Sequence, residues 1–283
     1  MMELFKELLP GGFLFWPFLA GLVGSFSFGV VGSYVYVRKL SYVATAIGHS
    51  SIAGIGITYF IQDKTGWLMH PFIGGAFFTI LMALFIGFCT LRNEEKGDSV
   101  ISSTMVVSMA LGLILLHMVE NVQTLSTTAI FFGDIMFVTK QDVIVILWVN
   151  AVVIFCGVVF YNKLKMVCFD EEYARLRGVN SAFYYYLLLS IISLSVIAMT
   201  VIVGIVLVIA LMTLPAVTAA LLSKRLWQCM VWASILCLVS VTLGFICSIS
   251  WDIPTGPCIV LISSALYVFV YVITSVFLKT AKA

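Results

Sequence analysis

Three histidines occur in this chain, His49, His70 and His117, and their neighbours decide what each imidazole can do. His49 stands in the apolar run SYVATAIGHSSIAGIGI, Ser41 to Ile57, between Gly48 and Ser50, with Thr45 four residues before it. A neutral imidazole is the commonest side-chain ligand of transition metals, and residues four apart share one face of a helix. His49 and Thr45 are therefore a candidate cation stop with one strong and one weak neutral ligand; the plainer role for His49 is a hydrogen bond to a neighbouring helix. His117 and Glu120 form H-x-x-E. That spacing sets an imidazole and a carboxylate on one face to receive a cation, and it also suits a helix leaving a membrane. His70, beside Pro71, reads as an interfacial residue, and Asp134 and Asp252 as structural carboxylates, the latter a helix cap. The seven cysteines form no C-x-x-C pair and read as packing residues. Neither G-x-x-x-x-G-K-[ST] nor H-E-x-x-H occurs, which excludes P-loop ATP hydrolysis and that form of metalloprotease chemistry.

The elements that must hold these residues are membrane helices. Of 283 residues, 62% are hydrophobic and 10% charged, whereas a soluble domain is nearer half apolar and a quarter charged. The composition predicts an all-α, polytopic membrane helical bundle, read as one transmembrane domain over 1–283. About 20 apolar residues cross a bilayer, and spans are expected near 13–37, 43–62, 71–91, 100–118, 142–161, 183–202, 204–222, 228–249 and 257–278. Gly204 breaks the long run from Ser181 to Ser223, and the count falls to eight if the second span crosses only in part. The N-terminal MMELFKELLPGG lacks the basic region and cleavage site of a signal peptide, so the first span is read as a retained anchor.

Nine spans put twelve Lys and Arg in one set of loops and three, Lys6, Lys64 and Lys140, in the other. The positive-inside rule makes the first set cytoplasmic, with the N-terminus outside and the C-terminus inside. His49, counted from Arg38, then lies roughly 16 Å into the core, near the bilayer middle. The net charge of +2 and the absence of a basic run exclude nucleic acid as a partner. Gly21, Ser25, Gly29 and Ser33 form a small-residue ridge for close helix packing. In the cytoplasmic loop 162–180, Phe169 to Asn180 reads as one short amphipathic surface helix ended by Gly178.

Five stretches together resemble the permease subunits of bacterial ABC importers for zinc, manganese and ferrous iron: VYVRKLSYVATAIGH (Val35–His49), FGDI (Phe132–Ile135), FDEEYARLRG (Phe169–Gly178), VGIVLVIALMTLPAVTA (Val203–Ala219) and DIPTGPCIVL (Asp252–Leu261). They occur in the family's order and cover nearly the whole chain. The resemblance implies a type II ABC importer permease-like fold in the bacterial cytoplasmic membrane, working as a homodimer. It also implies a cytoplasmic ATP-binding subunit, an extracytoplasmic metal-binding protein, and a transported divalent metal with no permanently bound cofactor. Phe169, Asp170, Glu171, Glu172, Ala174, Arg175 and Gly178 would dock the ATPase, and His49 would line the metal path. One departure bears on the cargo. Where the family has Asp four residues before this histidine, the chain has Thr45, with Ala44 replacing the preceding glycine. Imidazole without carboxylate leans towards zinc and away from manganese. The alternative is a secondary transporter or channel; proton-coupled examples carry acidic residues in mid-membrane, and the spans above have none. A scaffold or sensor would need larger loops. An enzyme built on Ser50 or Ser51 with His49 is disfavoured because adjacent helical residues point different ways.

Overall fold

The structure is a computed structural model and describes residues 15–66, 70–92, 97–119, 140–251 and 253–280. Among these, every regular element is a helix: α1 (Phe15–Val37), α2 (Ser41–Thr65), α3 (Pro71–Arg92), α4 (Gly97–His117), α5 (Lys140–Val159), α6 (Tyr161–Phe169), α7 (Glu171–Leu176), α8 (Ser181–Val203), α9 (Ile205–Leu222), α10 (Leu226–Trp251) and α11 (Thr255–Thr280). Nine of them are long and apolar enough to cross a membrane. The second, α2, is a full-length helix of 25 residues, which answers the choice between eight and nine spans among the described residues.

Helices α1, α2 and α8 are buried over most of their length, whereas α3, α4, α5 and α11 turn broad apolar faces outward. The ridge on α1 explains its central place. A Cβ on Gly29 would lie 2.5 Å from the backbone nitrogen of Ser234, so α10 approaches α1 to a distance only glycine permits. Ser25 and Ser33 donate their hydroxyls to Gly21 and Gly29 carbonyls at 2.8 and 2.7 Å, so neither leaves an unmet polar group in the apolar interior. α1 and α5 run parallel: Lys140 sits over the Trp16 ring at one end, and Tyr34 donates to the Gly157 carbonyl at 2.8 Å near the other.

Two junctions set the geometry around the candidate site. Gly204 alone separates α8 from α9, with φ 82° and ψ 159°, backbone that only glycine adopts readily. Between α1 and α2 the chain turns at Arg38–Leu40, where the Leu40 N–H donates to the Val35 carbonyl at 2.8 Å and Lys39 takes φ 59°. This is the Schellman pattern with lysine in the place glycine usually fills.

The loop 162–180 is more structured than one surface helix. α6 follows α5 after Phe160 and buries Leu164, Val167 and Cys168. Asp170 then breaks the helix with extended backbone and accepts the Tyr173 N–H on Oδ1 at 2.9 Å, capping α7. Gly178, at φ 75°, ends α7 as expected, and the Val179 N–H returns to the Ala174 carbonyl.

Candidate functional site

His49 projects from the first half of α2 and is half-buried. Its Nδ1 is enclosed and has no hydrogen-bond partner. The plain role, a histidine tied to a neighbouring helix through that nitrogen, is therefore not what α2 provides. Thr45, one turn towards the start of α2, is also half-buried and donates its hydroxyl to the Ser41 carbonyl at 2.8 Å, which leaves only its oxygen lone pairs to serve a cation. Ser50 and Ser51 are fully buried and donate to Ala46 and Gly48 carbonyls at 2.8 and 2.6 Å. Their hydroxyls are committed to the helix backbone, so no serine–histidine pair is assembled.

The packing of α2 defines which way this site opens. Gly48 rests against α9, where a Cβ would meet Ile205 and Ile209 at 3.6 Å; His49 lies about 100° further round the helix. Ser41, Thr45 and His49 form a partly open stripe, and the same face closes one turn outward at Ile52 and Ala53, both fully buried. The α1–α2 turn adds no helical rise, so His49 stands about 12 Å along α2 from Ser41, shallower than a count from Arg38. Among the described residues, no group of three or more His, Cys, Asp or Glu could hold a metal ion. The stripe offers imidazole and hydroxyl, with no carboxylate of its own.

The other candidates divide. His117 is the exposed last residue of α4, while Glu120, the FGDI stretch with Asp134, and Asp252 lie outside the described residues. His70 accepts the Phe72 N–H on Nδ1 at 3.2 Å, so the neutral ring carries its proton on Nε2 and directs it at Asp142 Oδ1, 3.3 Å away. This link between the starts of α3 and α5 is signalled by no spacing in the chain.

Of the seven residues expected to dock an ATPase, Phe169, Asp170, Glu172, Arg175 and Gly178 are exposed. Ala174 is fully buried, and Glu171 turns its carboxylate into the permease. Glu171 Oε2 receives Arg38 Nη2 at 2.6 Å; Oε1 receives Arg175 Nη2 at 2.6 Å and the Ser181 hydroxyl at 3.0 Å. Burial opposes the charge, yet these hydrogen bonds and the Arg38 guanidinium hold the carboxyl below its usual range. Two exposed residues escaped the sequence reading: Tyr173, with Arg177 over its ring, and Leu176, at 87% exposure. With Phe169 they give α7 an apolar outer surface, and the i, i+3 spacing of Tyr173 and Leu176 was the available signal.

Among the described residues, nine helices of membrane-crossing length and one short capped helix between two of them make this a multi-pass membrane bundle. The chain belongs to the ABC 3 transport family, whose model matches residues 11–274. It is 28% identical over 271 residues to a probable metal transport system membrane protein of Chlamydia trachomatis, covering 94% of this chain and 90% of that one. It is 30% identical over 266 residues to the manganese transport system membrane protein MntC of Listeria innocua, covering 94% and 92%. Among solved structures, PsaBC from Streptococcus pneumoniae in complex with Fab superposes with a TM-score of 0.84 at 26% identity, covering 95% of each chain.

Proposed function

We propose that this chain is the membrane-spanning subunit of an ATP-driven importer for a divalent transition metal ion. Two copies form the path, a cytoplasmic ATP-binding subunit drives it, and an extracytoplasmic protein delivers the metal. The N-terminus faces out and the C-terminus the cytoplasm. The observation that carries the reading is His49: an imidazole within α2 with its Nδ1 unpartnered, on a stripe that is partly open from Ser41 to His49 and closed at Ile52 and Ala53. A second copy would bring a second His49 to the path, raising the donor count without adding negative charge.

Zinc is the cargo favoured by this donor set, because neutral nitrogen ligands suit zinc better than the harder manganese ion. Manganese is the second reading, supported by the manganese named in the Listeria relative. Elemental analysis of cells with and without the importer tests both. Zinc accumulation that depends on the permease supports the first and manganese accumulation the second; unchanged contents of zinc, manganese and iron would remove the metal-importer reading.

A further inference from the structure

We infer that Glu171 is a positioning residue that ties α7 to Arg38 at the α1–α2 corner, so that displacement of α7 is passed to the helix carrying His49. This rests on the proposed importer function. The only buried residue of α7 is Ala174, so packing alone holds it loosely. The polar tie is much stronger. Both carboxylate oxygens of Glu171 are used, one by Arg38 at 2.6 Å and the other by Arg175 at 2.6 Å and Ser181 at 3.0 Å. Charge-assisted bonds of this length are the strong class.

What Arg38 adjoins gives the tie its direction. Its guanidinium lies over the Tyr185 ring of α8, 5.7 Å from the centroid, and the Tyr185 hydroxyl is 3.3 Å from Thr90 Oγ1 of α3. On the chain side there is no slack. The Arg38 N–H bonds to the Tyr34 carbonyl at 3.0 Å, the Leu40 N–H to Val35 at 2.8 Å, and the Ala44 N–H to Leu40 at 2.9 Å. Leu40 is buried at the turn. A pull on Arg38 therefore moves the start of α2, and His49 lies about two turns along that helix. The tie from α7 to α8 is made by the same carboxylate, through Ser181. One side chain thus gathers the α1–α2 turn, α7 and the start of α8, and a docked ATPase moving α7 would move them together.

A merely structural role would lower the amount of assembled complex; a positioning role changes how much metal moves per ATP. The test uses the permease reconstituted in vesicles with its ATP-binding subunit, comparing wild type, Arg38→Gln, Glu171→Gln and the double variant. The readouts are metal taken up per ATP hydrolysed and recovery of the ATP-binding subunit with the permease. Each single variant is expected to lower metal per ATP about tenfold, and the double variant no further than Glu171→Gln, because Arg38 has by then already lost its carboxylate partner. Arg38→Lys, which keeps the charge, should lose less than Arg38→Gln and serves if a glutamine variant fails to accumulate. An unchanged ratio, losses that multiply in the double variant, or loss of the ATP-binding subunit from Glu171→Gln would overturn the inference. Wild-type vesicles that move no metal with ATP would instead count against the importer reading itself.

Discussion

In the proposed function, Thr45 is the residue on which the choice of cargo would turn. Its hydroxyl sits one turn from His49 on the open stripe Ser41, Thr45 and His49, which has no carboxylate of its own. Thr45→Asp would place an anionic oxygen there and is expected to raise manganese uptake relative to zinc about tenfold, measured by competition between the two ions in vesicles. A ratio that stays put would show that Thr45 does not touch the metal. His49 and Thr45 were legible in the sequence because a histidine inside an apolar helix is costly and therefore conspicuous. The direction of the Glu171 carboxylate was not legible. Its partner Arg38 lies 133 positions away, and a six-residue helix has too little periodicity to say which face turns inward.

The nine long helices were legible to within about three residues at each end, because apolar runs of bilayer length and glycine breaks are strong local signals. α6 was missed for the opposite reason: its nine residues mix Lys163 and Lys165 with buried Leu164 and Val167, a pattern that is decided by packing on α5 and α8. At this scale Gly29→Val should destabilise the bundle by about 1–3 kcal/mol, because the added atoms meet the Ser234 backbone. Thermal unfolding in detergent measures it, and a wild-type midpoint would mean that α1 and α10 are not so closely packed. The α7 tie also has a pH dependence. The Glu171 carboxyl is depressed in the folded state, so its contribution is present above the ordinary carboxylate value of about 4.3 and is lost as pH falls through the lower folded value. A spin label replacing Glu172 should therefore keep one mobility from neutral pH down to the ordinary carboxylate range, and loosen only in stronger acid. In a Glu171→Gln background the label should be mobile throughout; equal mobility in both backgrounds would argue against the tie.

For the whole molecule, the orientation proposed from the Lys and Arg distribution would carry Glu171, Arg38 and α7 to the cytoplasmic side, where a nucleotide-driven partner would act. In that reading His49 would lie between the closed turn at Ile52 and Ala53 and that driven end, the position an alternating path requires of a transient stop. The central claim is that metal passes His49 under ATP drive, and ATP-dependent metal uptake by His49→Ala vesicles measures it most directly. The account predicts uptake lowered at least about tenfold, the loss of one strong ligand contact, with the ATP-binding subunit still recovered in full with the permease. Uptake of zinc, manganese and iron all at the wild-type rate would contradict it.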